Sequence, residues 1–290
     1  MNEPNRKKKR KPIFDRRKPI ISTVIGQIFM VALTVAIIFP LYFMFSNSMK
    51  TRQDYLDDAI GLPTTPTAQN FIDAFQGKDF GQWFINSTIL TVTASAITLI
   101  VAFIAAYAFA KMQFKGRNLL FRFTVPLMSV PPIAMIIPQF QLVAAANMTN
   151  TLYAVVLIYV GIMLPMTVYL FRNFIIGIPD SLLESAQIDG CTRWRAMWTI
   201  VMPLTLPAMI TSTLVNLVWV WNELLIALVF LQDDTLRTLM VGVTLFKSRY
   251  TLNIPVIMAG LVIVTIPLLV IYILAQRRLV EGLLSGSLKE

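Results

Sequence analysis

The sequence predicts an all-α, polytopic membrane protein with six transmembrane helices and both termini on the cytoplasmic side. Three observations predict it. Hydrophobic residues make up 56% of the 290-residue chain and charged residues only 14%, whereas a soluble domain carries about 25% charge. Six apolar spans can be marked off, at residues 20–44, 84–110, 123–146, 153–171, 208–231 and 254–275, and each meets the roughly 20-residue length that crosses a bilayer as a helix. Of the 25 Lys and Arg, all but Lys50, Arg52, Lys78, Arg237, Lys247 and Arg249 fall in the alternate segments that include both termini, and positively charged segments resist translocation. Lipid leaves unpaired backbone groups no partner, and the spans lack the alternation of barrel strands, so helices remain.

From the N-terminus, residues 1–19 form a basic arm (Arg6 to Lys11, then Arg16, Arg17 and Lys18) that runs straight into the first span. Beside a membrane span such a run is an orientation signal rather than a nucleic-acid-binding arm. The span is too long for the apolar stretch of a cleaved signal peptide, and no A-x-A-like site follows it. The outer loop 45–83 is acidic through Asp54, Asp57, Asp58, Asp73 and Asp79, turn-rich at Gly61-Leu62-Pro63 and Thr65-Pro66, and too short for a core of its own. The third span carries Pro126, Pro131, Pro132 and Pro138, each of which removes a backbone donor and kinks a helix. It therefore either faces other helices or a water-filled cavity, or holds simple kinks tolerated by packing. Residues 20–276 read as one membrane domain, and 277–290 as a cytoplasmic tail.

The inner loop between the fourth and fifth spans contains Pro179-Asp180-Ser181-Leu182-Leu183-Glu184-Ser185-Ala186. Asp180 or Ser181 is expected to cap a helix, with Glu184 three residues after Ser181 as a capping-box acid. Gly190 suits a helix end or a turn. Residues 191–200 are expected to form a second short helix with Trp194, Met197, Trp198 and Val201 on one face, and Pro203 and Pro207 to bracket the re-entry into lipid. A short helix, a turn and a second helix with exposed aromatics make a docking knob.

Missing residue types exclude chemistry. With no His and Cys191 as the one cysteine, the chain has no intrachain disulfide, no Cys/His metal site and no imidazole triad. No G-x-x-x-x-G-K-[ST] occurs, so a Walker A phosphate cradle is absent. If ATP is used, a partner supplies it.

The loop resembles the EAA signature of ATP-binding-cassette importer permeases: E-A-A, three free positions, G, nine free positions, then I-x-L-P. Here Glu184-Ser185-Ala186, Gly190 and Ile200-Val201-Met202-Pro203 stand at those spacings, with Ser185 for Ala and Met202 for Leu as departures. Over nearly the whole chain after the arm, the resemblance is to the carbohydrate branch, the MalG-like subunits. Asn86-Ser87, Ile188-Asp189-Gly190, Trp221-Asn222-Glu223 and the tail from Gln276-Arg277-Arg278 support it. The resemblance implies a type I importer fold in a bacterial or archaeal plasma membrane and a non-catalytic transport subunit without a cofactor. ATP and Mg are bound by two copies of a partner ATPase. A second permease, forming a heterodimer, and an extracytoplasmic binding protein for sugar complete the machine. It also implies that Glu184, Ser185, Ala186, Asp189, Gly190, Ile200 and Pro203 couple to the ATPase, that the outer loop 232–253 reaches the binding protein, and that the tail reaches the ATPase interface. The alternative for the tail is a positively charged membrane anchor.

Ser212, Asn216, Trp219 and Glu223 lie at i, i+4, i+7 and i+11 in the fifth span, one continuous helix face. A carboxylate in the bilayer is costly and is expected to face a cavity or a partner. With Asn222, this stripe is the expected substrate pathway, since sugars need amides and carboxylates for hydrogen bonds and aromatic rings for stacking. The other reading is that Glu223 bonds a neighbouring helix and holds two permeases together. The same machine could carry glycerol phosphate, a sulfonated sugar or a polyamine. An ion-coupled secondary transporter predicts more paired intramembrane acids and bases than Glu223 alone.

Overall fold

The computed structural model describes residues 20–76, 79–249 and 253–287, with side chains over 24–75, 79–244 and 253–273. The basic arm, Lys78 and residues 250–252 and 288–290 lie outside the described residues, as do the side chains of Lys247, Arg249, Arg277 and Arg278. The described residues form thirteen α-helices: α1 (Ile20–Ser48), α2 (Arg52–Asp57), α3 (Gln69–Gln76), α4 (Phe80–Lys111), α5 (Arg117–Leu127), α6 (Ile136–Ala145), α7 (Leu152–Ile176), α8 (Asp180–Ile188), α9 (Arg193–Ala196), α10 (Met202–Asn222), α11 (Leu225–Phe230), α12 (Leu239–Arg249) and α13 (Ile254–Ser287).

Among them, five continuous runs are long and apolar enough to cross a membrane: Val24–Ser48, α4, α7, Arg193–Asn222 and Ile254–Ile273. The third apolar stretch is broken. Its halves, Arg117–Leu127 and Pro132–Ala145, meet at 103°. Of the four prolines noted in the sequence, Pro131 and Pro132 sit at the break, where a 3-10 turn (Pro132–Met135) starts, while Pro126 lies inside α5. Two adjacent residues without N–H groups leave the helix no ladder to continue.

The fifth crossing starts earlier than its apolar stretch and does not contain a separate short helix. α9 passes through a π-helical turn, Met197–Val201, directly into α10, with the Met202 N–H reaching the Met197 carbonyl. Pro203, one residue further on, has no N–H to give. The wider turn before it absorbs that loss, so the helix runs on through Pro203 and Pro207 instead of being bracketed by them. The helix stops at Asn222, and Glu223 is extended (φ −70, ψ 127) before α11 begins.

Lipid tails are as apolar as Leu, so helix association in a membrane rests on packing and interhelical hydrogen bonds. α4, α7 and α10 supply both. One buried cluster joins Leu90 and Ala94 of α4, Tyr159 and Met163 of α7, Val220 of α10 and Ile226 of α11. A second joins Phe103 and Tyr107 of α4, Phe171 and Ile175 of α7, Leu183 of α8, and Met197 and Val201. Between these clusters each of the three helices carries buried polar residues: Ser95 and Thr98 of α4, Thr167 of α7, and Ser212 and Asn216 of α10. A polar belt thus divides the bundle into an apolar half toward Ser48 and an apolar half toward Lys111.

Candidate functional site: an exposed knob and a buried polar stripe

At the Lys111 end, α8 projects from the bundle. Its first residue is Asp180, and the residue before it, Pro179, makes no side-chain cap. The expected cap by Asp180 or Ser181, with Glu184 closing a capping box, does not form. Pro179 already has the extended conformation (φ −60, ψ 136) of a residue entering a helix, which sets the start one residue earlier. Asp180 turns instead to Lys111, the last residue of α4. The Lys111 ammonium bonds the Asp180 carboxylate at 2.6 Å and the Ile178 carbonyl at 2.6 Å, and its own side chain is buried while that of Asp180 is exposed. An acid in the first turn of a helix also meets the positive end of the helix dipole.

Gly190 ends the helix. With φ +81 it accepts the left-handed conformation that a Cβ disfavours. Its N–H bonds the Gln187 carbonyl and the Cys191 N–H bonds the Ala186 carbonyl, at 3.0 and 2.8 Å. This pair of bonds is the Schellman closure. A Cβ at Gly190 would meet no atom within 4 Å, so backbone geometry and not space within the chain requires glycine there. Leu183 is buried and anchors the knob. Glu184, Ser185, Asp189 and Gly190 are exposed, Ala186 is half-buried, and Ile188 is 86% exposed. Trp194 is also exposed and packs edge-on against Trp198, which in turn meets Phe103 of α4. The Tyr107 hydroxyl donates to the Arg193 carbonyl at 3.2 Å. Ile200 is half-buried in the second cluster and Pro203 is exposed.

The fifth-span stripe keeps the shared face its spacing requires, and that face lies against α7. Ser212 and Asn216 are buried. The Ser212 hydroxyl donates to Thr167 at 3.4 Å, and Trp219 meets Tyr159 edge-on at 5.5 Å. Glu223 accepts from the Tyr159 hydroxyl at 2.6 Å and from the Ile226 and Ala227 N–H groups at 2.8 and 3.0 Å. It therefore bonds a neighbouring helix of its own chain and caps the helix that follows the break. Asn222 stands apart from the stripe, exposed, with its amide on the Val218 carbonyl. Trp221 ties α10 to α13 through the Val264 carbonyl at 3.1 Å. Three buried polar atoms near the belt have no partner: Asn216 Nδ2, Thr91 Oγ1 and Ser95 Oγ.

At the Ser48 end, the loop after α11 is less free than its polarity suggests. Trp83 Nε1 donates to the Asp234 carbonyl, and Asn86 Nδ2 to the Thr235 and Arg237 carbonyls. The Ser87 hydroxyl oxygen accepts from the Leu239 N–H. Beyond it, Leu239, Val241 and Val243 of α12 are buried, so this stretch of 232–253 belongs to the bundle. The reason is steric and visible in Gly242, which lies flat on the Trp83 ring with no room for a Cβ. Lys111, Leu183, Asn86 and Ser87 thus hold the knob and this latch. Sequence reasoning assigned none of them a role, and Asn86-Ser87 entered it only as one of the segments that carry the family resemblance.

Comparison with known proteins places this architecture. The chain is 32% identical over 253 residues to the sulfoquinovosyl glycerol transport system permease protein of Agrobacterium fabrum, covering 87% of this chain and 89% of that one. It is 31% identical over 282 residues to the diacetylchitobiose uptake system permease protein of Streptomyces coelicolor, covering 97% and 99%. In fold it matches a chain of a bacterial ABC transporter involved in import of the acidic polysaccharide alginate, with a TM-score of 0.81 at 21% identity, over 92% of this chain and 99% of that one. Residues 98–284, which include the knob and the stripe, match the family model for the inner membrane component of binding-protein-dependent transport systems, and the chain belongs to that family, as a multi-pass membrane permease.

Proposed function

We propose that the chain is the MalG-like subunit of an ATP-driven importer and translocates a sugar or sugar-like solute delivered by an extracytoplasmic binding protein. In this reading the bent α5–α6 pair counts as one of six crossings, in the type I importer fold, and both termini are cytoplasmic, so the Lys111 end faces the cytosol. A second, different permease completes the pathway. Two copies of a cytoplasmic ATPase bind ATP and Mg, and this chain does no catalysis of its own. The cargo class rests on the two relatives, whose described substrates both contain sugar.

The observation that carries the reading is the knob. α8 is closed by its own Schellman bonds, exposed along Glu184, Ser185, Asp189 and Gly190, and fastened to α4 by Lys111 and to the fifth crossing through Cys191 and Thr192. A partner that pushes on it moves two crossing helices together. For the pathway, the proposal narrows. Ser212, Trp219 and Glu223 are engaged within the chain, which leaves Asn216, with its free amide, and exposed Asn222 as the groups able to take a solute hydroxyl.

The test separates turn from contact. Gly190→Asn tolerates the left-handed turn yet adds bulk to the exposed surface, where nothing in this chain obstructs it. The purified complex should assemble and melt as wild type while solute uptake into vesicles falls at least about tenfold, the equivalent of about 1.4 kcal/mol of lost coupling. Full uptake in Gly190→Asn and in Glu184→Arg would sink the coupling role.

A further inference from the structure

We propose that Tyr107 and Lys111, one turn apart near the end of α4, are positioning residues that seat both ends of the knob and hand its displacement to α4. This rests on the coupling role proposed above for α8. The Schellman closure makes α8 rigid in itself, but it does not set where the helix points. Leu183, the buried side chain of α8, is apolar and packs without direction. Direction comes from hydrogen bonds, and α4 supplies them at the entry and at the exit of the loop.

At the entry, the Lys111 ammonium donates to the Ile178 carbonyl and to the Asp180 carboxylate, both at 2.6 Å. At the exit, the Tyr107 hydroxyl donates to the Arg193 carbonyl at 3.2 Å. One turn further back, Phe103 meets Trp198 of the π-helical turn, with ring centroids 5.6 Å apart. Phe103, Tyr107 and Lys111 stand at i, i+4 and i+8, a single stripe of a helix, and that stripe follows the knob from the fifth crossing back to the start of α8. The hydrogen-bonded pairs lie 86 and 69 residues apart in sequence. No short stretch of chain ties α4 to the knob, so these bonds make the one follow the other.

The burial of Lys111 singles it out. A Lys in the last turn of a helix ordinarily lays its stem on apolar surface and keeps its head in water, where it also complements the negative end of the helix dipole. Lys111 holds that place in α4, yet its side chain is 7% exposed and its ammonium is turned into the link between α7 and α8. A buried charge must be met by acceptors, so the Ile178 carbonyl and the Asp180 carboxylate cannot drift from α4 without leaving it short. Tyr107 is buried as well, and its neutral bond is the weaker of the two restraints. Arg at position 111 would keep the donors, whereas Met would keep the bulk and remove them.

The test reads position first and transport second. Nitroxides are attached at Val101→Cys of α4 and Gln187→Cys of α8 in a Cys191→Ser background, with the full chain in vesicles of phosphatidylethanolamine and phosphatidylglycerol. Val101 lies ten residues before Lys111, about 15 Å along the axis, so pulsed EPR measures the spacing of α4 and α8. Lys111→Met should widen the distance distribution several-fold, and Lys111→Arg should restore it. Tyr107→Phe and Asp180→Ala, the second at an exposed position, should each widen it by less. A distribution in Lys111→Met as narrow as in wild type would overturn the proposal, and so would a widening that Lys111→Arg fails to reverse. In the purified complex, Lys111→Met should lose several-fold more solute uptake than ATP hydrolysis, a split that mere loss of folded protein does not give. Full uptake beside a widened distribution would overturn the part given to α4 in the transfer. If Gly190→Asn and Glu184→Arg keep full uptake, the coupling role of the knob falls instead, and the distance measurement still reads the seat by itself.

Discussion

At the Ser48 end of the bundle, side chains from several helices close onto backbone carbonyls. Asn47, Lys50 and Asn70 are buried and bond the chain around α1, while Trp83 and Asn86 bond the chain before α12. At the Lys111 end, the projecting helix rests on one buried side chain, Leu183, and on the buried Lys111 ammonium, which bonds the Ile178 carbonyl and the exposed Asp180 carboxylate. A buried donor left without its acceptor costs about 1–3 kcal/mol, and the Ser48 end has five such donor side chains to the one that reaches α8. The first end is therefore held by its neighbours. The second takes its rigidity from its own turn and stands exposed in this chain. The coupling role proposed for it needs both, because a lever moves helices only if their far ends are held.

The largest effect expected is at the latch. Trp83→Ala removes a buried ring and the Asp234 bond together, a change of the kind that costs about 3–5 kcal/mol, and should lower the melting temperature of the detergent-solubilised protein most. Gly242→Ala places a Cβ into that ring, and overpacking of this sort costs about 1–3 kcal/mol. Trp83→Leu should recover part of the Gly242→Ala loss, as expected of residues in contact. Gly190→Ala at the knob strains one left-handed residue by about 1–2 kcal/mol and should loosen α8 locally, seen as faster hydrogen exchange at Ala186 to Cys191, with little change in melting temperature. Equal falls in melting temperature at both ends would break the contrast.

Most of the membrane architecture was legible in the sequence, because long apolar runs and Pro131-Pro132 act through local rules that lipid enforces. The knob was legible in part. Gly190 was readable as a turn, since only a residue free of a Cβ suits φ +81, but the helix start was not, because Pro179 took the entry conformation and Lys111, distant in sequence, claimed Asp180. The stripe shows the same limit. Its periodicity put Ser212, Asn216, Trp219 and Glu223 on one face, yet nothing local says which helix that face meets, and Tyr159 is what turns Glu223 inward. Lys50 and Asn86 were opaque for the same reason, since each acts on carbonyls in another segment.

The finest test of the contrast is acid. The Asp58 carboxylate is held below its ordinary range chiefly by the N–H groups of Gly61 and Ile60, and less by the charge of Lys50. Because its folded value is lowered, the order it gives the 58–61 turn is fully present above about pH 3.9, the unfolded value, and is lost as pH falls through the lowered folded value. A spin label at Leu62 should therefore keep its neutral-pH mobility through the ordinary carboxylate range and sharpen only in stronger acid. Asp58→Asn retains an acceptor oxygen for the two N–H groups without a titrating charge and should flatten that response. Lys50→Met should move it upward only slightly, because the amides outweigh the ammonium. A large shift in Lys50→Met would mean that charge, rather than the 58–61 turn, holds this end of the bundle together.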